Sequence, residues 1–272
     1  MATSPWKLCG AEVQGSGHKR KNIPCQDKTY CNQRNKVKVV ALADGAGSAA
    51  LSHFGAECVT KAVSEYVVDN FLRLFDAEEK TIKADIASVI RTALSVQSAK
   101  LECRKTDLSS TLLLAAVRKD SYIAIHIGDG VIGSYERDAL KVLSAPENGE
   151  YANMTWFTTT TDLERVVRVY RGDASIMSGF ILMSDGVEPS LYDGGRNELA
   201  DAAINLIYTN AKIDSKLMSQ LLLESLEQAI ALRTHDDCSI ALLSRTRFRK
   251  FQEYSKFRRK LAKRDSKPGS GR

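Results

Sequence analysis

The sequence has no long apolar run and no leader-like beginning. No stretch approaches the ~18 consecutive apolar residues that a bilayer-spanning helix needs. The first ten residues, MATSPWKLCG, do not combine a basic region with an apolar one. From these two absences we expect a cytosolic, cytoplasmic chain without a transmembrane segment.

Several familiar site patterns are missing as well. The six cysteines form no C-x-x-C pair and have no histidine at a zinc-site spacing, so we expect free thiols rather than zinc ligands or disulfides. The four histidines are scattered, which argues against a histidine-rich metallophosphatase site. The motifs G-x-S-x-G, C-x5-R and G-x4-G-K-[ST] are also absent. Chemistry based on these motifs is therefore excluded.

Charge is distributed unevenly along the 272 residues. Residues 245–272 contain twelve Lys or Arg against two acids, a net charge of +10. Because the whole chain has a net charge of +6, residues 1–244 have a net charge of −4. With 43% hydrophobic residues, the chain as a whole has an ordinary globular composition. We predict one catalytic domain over residues 1–244 and a basic tail over residues 245–272.

The tail interleaves apolar and basic residues. Five apolar positions would cover about half of a helix surface: Phe248, Phe251, Tyr254, Phe257 and Leu261. One interpretation is an anionic partner, either a nucleic acid or a membrane surface. The alternative is a solubilising terminal helix that packs partly on the domain.

Four apolar segments place an acid at a strand end. They are VVALADGAGS (39–48), IAIHIGDG (123–130), FILMSDG (180–186) and, reversed, DDCSIALL (236–243). A single Asp-Gly after an apolar run is usually a turn. Repeated carboxylates gathered in one place repel each other, and a hard divalent cation among them removes that repulsion. The pattern predicts a cation site.

The hydrophobic periodicity favours an α+β fold. Helical spacing covers residues 54–74, 78–103, 196–208 and 216–232. Strands are predicted at 6–14 (an edge), 37–43, a four-strand meander (109–117, 122–128, 131–135 and 140–143), 154–161, 175–184 and 238–243. Because strands and helices do not alternate as parallel βαβ units would, we predict antiparallel sheets covered by helices.

Basic residues follow the turn Gly15-Ser16-Gly17. The segment His18–Lys21, called here the cationic arm, is either a solvated loop or a phosphate-binding element, since Arg offers forked donors and Lys a point charge. The sequence does not choose among His18, Lys19 and Arg20.

Six segments, taken together, resemble a known family. They are H-x3-N-x3-Q-D (18–27), ALADGAGS (41–48), SSTLLLAAV (109–117), HIGDG (126–130), ILMSDGV (181–187) and DDCSIALL (236–243). Their order and spacing resemble the metal-dependent, 2C-type serine/threonine protein phosphatases, and PENGEYANMTWFTT (146–159) is most similar to a bacterial branch of them. The resemblance implies an α/β/β/α sandwich of two antiparallel sheets flanked by helices, with two Mn²⁺ or Mg²⁺ ions at one end.

The implied activity is hydrolysis of phosphoserine and phosphothreonine on proteins by a water activated between the two metals. The implied partners are a phosphoprotein substrate and an opposing serine/threonine kinase. A catalytically weak, phosphatase-like binding module is the alternative, for which Ala46 and Gln26 offer slight support.

The resemblance also implies roles for individual residues. Asp44 corresponds to the carboxylate that bridges the metals, and the Gly45 carbonyl to a ligand of one of them. Asp185 and Asp236 correspond to ligands of the other metal, and Asp27 to an acid that acts through metal-bound water. Asp129 corresponds, with Asp185, to the ligands of a third, weaker metal, or it is a plain turn residue. Asp237 is interpreted as a support residue.

Two departures limit this correspondence. Ala46 stands where animal members have a histidine proposed as general acid, and bacterial members commonly lack it too, so metal-bound water or another group must protonate the leaving oxygen. Asn22 stands where the family's phosphate-binding Arg usually lies, five residues before Asp27. Arg20, His18 or Lys19 would then bind the phosphate.

Overall fold

The computed structural model describes residues 6–147 and 155–246. Its elements in chain order are β1 (Trp6–Val13), α1 (Ser16–Lys21), β2 (Lys28–Arg34), β3 (Val37–Ala43), α2 (Ser52–Asp76), α3 (Glu79–Lys100), β4 (Leu112–Arg118), β5 (Ser121–Ile127), β6 (Val131–Glu136), β7 (Ala139–Ser144), α4 (Leu163–Val166), β8 (Arg168–Asp173), β9 (Met177–Met183), α5 (Glu188–Leu191), β10 (Tyr192–Asp193), β11 (Glu198–Leu199), α6 (Ala202–Lys212), α7 (Ser215–Ser225) and β12 (Cys238–Arg245). A π-helical turn, Leu226–Ile230, follows α7.

Two five-stranded antiparallel sheets form the centre of the molecule. One sheet has the strand order β1-β12-β9-β6-β7 and the other β2-β3-β4-β5-β8, while β10 and β11 form a small separate hairpin. The predicted edge position of β1 is confirmed.

Apolar residues on both faces of the central strands explain why the sheets stack. On β3, Val39 and Ala41 face α2 and α3, whereas Val40 and Leu42 pack into the layer between the sheets. Side chains alternate across a strand, so a strand that is apolar at every position must be covered twice. The layer between the sheets also contains Phe180 from β9.

The helices cover the two outer faces. Helices α2 and α3 bury Val63, Phe71 and Ile86 against one sheet. Helices α6 and α7 bury Ile207 and Leu222 against the other. The predicted α+β class and the α/β/β/α order of layers are therefore confirmed.

The predicted four-strand meander is wrong, because its strands divide between the two sheets. Strands β4 and β5 pair in one sheet, and β6 and β7 pair in the other. The chain crosses at Gly128, whose φ of +108° is a conformation that side chains rarely adopt. Gly130 follows it, where an added Cβ would lie 2.7 Å from the Met183 carbonyl oxygen.

Other differences from prediction lie mainly at sheet edges. The sequence did not predict β2 and β8, both polar edge strands with little apolar periodicity. The described part of the predicted strand 154–161 forms turns and only one bridge, at Thr155. The predicted helix 196–208 begins at Ala202, because β10 and β11 form a hairpin before it. None of the helices in the described ranges is long and apolar enough to cross a membrane.

Candidate active site

Strand pairing in one sheet brings three acids to the same edge. Lys28, the first residue of β2, pairs with Ala43, the last residue of β3. Asp27 directly precedes β2 and Asp44 directly follows β3, so the two acids lie at neighbouring strand ends. The Asp44 amide donates to Thr111 Oγ1 (2.9 Å), and the Thr111 amide donates to the Asp44 carbonyl oxygen (2.8 Å). Thr111 leads into β4, whose first residue pairs with the end of β5, and Asp129 lies just beyond that end.

The second sheet contributes two more acids. Strand β12 begins beside the end of β9, with Ile240 opposite Met183. Asp185 follows β9 and Asp236 precedes β12, so the two lie at neighbouring ends. The predicted gathering of strand-end acids is reproduced, and we call Asp27, Asp44, Asp129, Asp185 and Asp236 the acid cluster.

Two glycines allow the loops that carry these acids to approach closely. A Cβ on Gly45 would lie 2.8 Å from the Ser52 Cβ and 2.9 Å from the Gln26 carbonyl oxygen. A Cβ on Gly186 would lie 2.0 Å from the Asp237 carbonyl oxygen. A larger residue at Gly45 would push apart the loops before β2 and after β3, and one at Gly186 would push apart the loops after β9 and before β12.

Burial, together with nearby charges, raises the pKa of three acids of the cluster, Asp27, Asp44 and Asp185. Burial raises the pKa of Asp27 to about 7; hydrogen bonds from Ser239 and Ser184 oppose this, and nearby charges, Asp185 among them, add to it. Burial, then the charges of Asp27 and Asp185, raise the pKa of Asp44 well above its usual range. Burial also raises the pKa of Asp185. The acids are close enough to repel each other when ionised.

Several carboxylate oxygens are free to accept a cation. Asp27 is fully buried, its Oδ2 accepts from Ser239 Oγ (2.6 Å), and its Oδ1 has no hydrogen-bond partner. Oδ1 of Asp185 is also buried without a partner, and the Asp185 side chain shares a hydrogen bond with Asp44. Buried unpaired carboxylate oxygens are costly unless a cation or a proton neutralises them.

The acid cluster offers only oxygen atoms as ligands: the carboxylates of its five acids and, beside Asp44, the Gly45 carbonyl. Such donors suit Mg²⁺ or Mn²⁺, which take few protein ligands and complete their shells with water. Across the described ranges, no three His, Cys, Asp or Glu side chains already enclose a common point as ligands of one ion. The chemistry of the donors fits a hard cation, and Asp44 and Asp185 contact each other where it would bind.

One acid near the cluster was missed by sequence reasoning. Glu188 begins α5, three residues after Asp185, and its Oε1 is buried without a partner. Burial, then the charges of Asp185 and Asp129, raise its pKa to about 7. The only signal was its place in the segment SDGVEP (184–189), which the Asp-Gly pattern did not include.

Asp129 differs from the buried acids. It is partly exposed and accepts a hydrogen bond from Thr155 Oγ1, across the segment 148–154 that lies outside the described residues. Half of the stretch 146–159 that resembles the bacterial branch lies outside the described residues, and Thr155 within it contacts the acid cluster at Asp129.

The cationic arm lies in a short helix, so the solvated-loop interpretation is wrong about its backbone. Helix α1 spans Ser16–Lys21 and ends at Asn22, whose φ is +54°. Side chains of Lys19 and Arg20 are exposed and make no hydrogen bond or ion pair with another described residue. Both remain available for an anion.

His18 is instead held by Asp237. The Nδ1 of His18 lies 2.8 Å from Asp237 Oδ2, which also accepts from the Gln26 amide (2.6 Å), while Asp237 Oδ1 accepts from the Gly15 amide (2.6 Å). Asp237 is buried, and its three donors come from the residue before α1 (Gly15), from the arm itself (His18) and from the segment after the arm (Gln26). The support role predicted for Asp237 is therefore visible as a clamp on the arm.

The chain matches known proteins over most of its length. The family model for "Protein phosphatase 2C" matches residues 14–233. Serine/threonine-protein phosphatase 3 of Escherichia coli (strain K12) is 25% identical over 249 residues, which cover 87% of this chain and 97% of that protein.

Solved structures share the fold. The catalytic domain of the serine/threonine protein phosphatase PstP, in complex with two manganese ions, is similar with a TM-score of 0.56 at 19% identity, covering 88% of this chain and 99% of that one. Serine/threonine phosphatase Stp1 from Staphylococcus aureus gives a TM-score of 0.57 at 12% identity, covering 89% and 96%. Because the family model spans well over half of the sequence, the chain belongs to the protein phosphatase 2C family of metal-dependent protein phosphatases.

Proposed function

We propose that this protein phosphatase hydrolyses phosphoserine and phosphothreonine on proteins at the acid cluster, with two Mn²⁺ or Mg²⁺ ions and a weaker third. The observation that supports it most is the set of buried, mutually repelling carboxylates with unpaired oxygens at one end of the sheets. When bound, the ions would supply Lewis-acid activation of a water and neutralise phosphoryl charge.

The protein's own residues hold that centre. Asp44 would hold both ions through its carboxylate, and the Gly45 carbonyl would be one further ligand. Asp185 and Asp236 would be the ligands from the second sheet. Asp27, fixed by its hydrogen bond from Ser239, would position a water there. Two hydrogen bonds would fix Asp44 at this position: the Asp44 amide donates to the Thr111 hydroxyl, and the Thr111 amide donates to the Asp44 carbonyl oxygen.

The cationic arm binds and orients the substrate's phosphoryl group. Arg20 is our choice among the three candidates, since it is exposed, unpaired within the described part of the chain, and offers forked donors to phosphate oxygens. His18 is already held by Asp237 through Nδ1, so we assign the main phosphoryl contact to Arg20 instead.

The proposed setting is the cytosol, where a serine/threonine kinase phosphorylates the same substrates. All six cysteines are unpaired, as is usual in a reducing compartment. The basic tail, which lies beyond the described residues, is proposed to bind an anionic partner.

A metal-dependence assay tests this function. The purified full chain should hydrolyse p-nitrophenyl phosphate and phosphoserine peptides with Mn²⁺, and chelation with EDTA should abolish both activities. Activity that survives chelation would contradict the metal centre. Tight binding of a phosphopeptide without turnover would show the binding module instead.

A further inference from the structure

Phosphoserine and phosphothreonine leave as alkoxides, which are poor leaving groups unless they are protonated as the bond to phosphorus breaks. General-acid catalysis of this kind contributes roughly 10²- to 10⁴-fold. The acids of the cluster would be ionised when they hold cations, and Ala46, next to Asp44-Gly45, has no proton to give. Besides metal-bound water, a side chain on a neighbouring element could supply this proton.

His18 has the required partner and position. Its Nδ1 is 2.8 Å from Asp237 Oδ2, and the Asp237 carboxylate already accepts two backbone amides, so Nδ1 is the donor in this contact. A buried carboxylate at one ring nitrogen fixes the imidazole and stabilises its protonated form. Nε2 is then the nitrogen that carries the transferable proton.

The pair is attached directly to the acid cluster. The Asp237 amide donates to Asp236 Oδ1 (2.9 Å), and Asp237 binds the amide of Gln26, the residue before Asp27. The Asp237 charge also contributes to the raised pKa of Asp27, which confirms that the two are close. Two hydrogen bonds therefore connect His18 to the acid cluster, one from His18 to Asp237 and one from Asp237 to Asp236.

His18 is partly accessible to solvent. Its side chain is 15% exposed, whereas that of its partner Asp237 is 1% exposed. Within the described ranges, Nε2 makes no hydrogen bond, so it has no competing partner. This second ring nitrogen is therefore free to donate a proton.

We propose that His18, oriented by Asp237, is the general acid that protonates the departing serine or threonine oxygen; this rests on the proposed function. As water's oxygen bonds to phosphorus, the bond from phosphorus to the substrate Oγ breaks and its electron pair stays on Oγ. Oγ takes the proton from Nε2 and leaves as the alcohol. The proton lost by the attacking water passes to solvent, and solvent reprotonates His18, while Asp237 stays ionised throughout.

The test compares leaving groups. His18→Asn should lower kcat/KM for a phosphoserine peptide by ~10²- to 10⁴-fold. For p-nitrophenyl phosphate, whose leaving group needs little protonation, the loss should be at most a few fold, on the order of 5-fold. Imidazole added to His18→Ala should partly restore peptide hydrolysis. Mn²⁺ affinity, measured by calorimetry, should not change.

A matched control is available on the same arm. His235 is exposed, and its Nδ1 lies 2.9 Å from Ser16 Oγ, so His235→Asn removes a contact to α1 without touching the His18–Asp237 pair. It should leave both substrates unaffected. Asp237→Asn, which keeps an oxygen for one backbone amide, is the second variant if His18→Asn does not fold, and it should show the same selective loss.

Equal losses on the two substrates, or no loss on the peptide, would overturn the proposal and leave the phosphatase function intact. A wild-type chain that hydrolyses neither substrate would instead overturn the proposed function itself.

Discussion

The acid cluster and the cationic arm lie at the same end of the molecule but are fixed by different means. Asp44 and Asp185 are fixed by strand register, backbone pairing and close approach through glycines. The arm lies in the six-residue helix α1, and its cations Lys19, Arg20 and Lys21 are exposed and have no hydrogen-bond or ion-pair partner among the described residues. Asp237 holds the arm through His18 and the Gly15 amide. A centre that must hold ions at fixed spacing needs the rigid construction. A group that meets many phosphoproteins can be attached more loosely.

The largest loss of activity should come from a substitution in the acid cluster. Asp44→Asn should lower phosphatase activity by ~10³-fold or more, because several kcal/mol of charge stabilisation at the reacting phosphoryl group are lost. The folded state should persist, since removing one acid relieves repulsion within the cluster. Circular dichroism checks folding and a p-nitrophenyl phosphate assay checks activity. The control is Asp69→Asn, a surface acid paired with Arg34, and wild-type turnover in Asp44→Asn would contradict the assignment.

Breaking the arm should have a smaller and different effect. Arg20→Ala should cost ~2–4 kcal/mol of transition-state binding, which is roughly 30- to 1000-fold in turnover. Mn²⁺ affinity should stay nearly unchanged, because Arg20 holds no ion. Steady-state kinetics and calorimetry on the same preparation separate the two. Arg34→Ala, another exposed arginine, is the control. A silent Arg20→Ala would mean that the ions alone bind the phosphate.

A third variant sharpens the difference within the acid cluster itself. Asp129 is partly exposed and rests on Thr155, so Asp129→Asn should be milder than Asp44→Asn, on the order of 10-fold at saturating Mn²⁺. Activity measured across a manganese titration checks this. A loss as large as that of Asp44→Asn would place Asp129 in the main centre.

The smallest expected effect is on the pH dependence of stability without metal. Asp27 has a pKa of about 7 in the folded state and an ordinary carboxyl pKa of roughly 4 in the unfolded chain. Between these values the folded protein binds more protons than the unfolded chain, so its stability should fall as the pH rises from about 4 to about 7. The penalty is absent below this window and complete above it.

Urea unfolding in EDTA at several pH values measures that penalty. Asp27→Asn should flatten the decline relative to wild type, since the variant has no carboxyl to ionise at this position. An identical decline in both proteins would show that Asp27 is not the group responsible.

The sequence predicted the acid cluster better than its surroundings. Apolar runs ending in Asp-Gly fixed β3 and β9 and placed Asp44 and Asp185 at strand ends, because hydrophobic periodicity is a local signal. Strand partners are not local, so the division of the meander between two sheets was not predicted. The polar edge strands β2 and β8 gave too little periodicity to be found.

The structure of the arm and the position of Glu188 could not be predicted from the sequence motifs. The helix α1 has no apolar face from which to predict it, and the three donors to Asp237 come from Gly15, His18 and Gln26, more than two hundred residues away. Glu188 enters the site because α5 begins just after Asp185. Long-range contacts of this kind depend on the fold.

The most direct test of a cation-binding acid cluster is thermal unfolding of wild type and Asp44→Asn across a manganese titration, with no substrate present. Wild-type stability should rise with the logarithm of free Mn²⁺ once it exceeds the dissociation constant, because only the folded state binds the ion. Asp44→Asn should match or exceed wild type without metal and gain little as Mn²⁺ increases. A wild-type melting temperature independent of Mn²⁺, or the same rise in both proteins, would contradict the acid cluster as the metal centre.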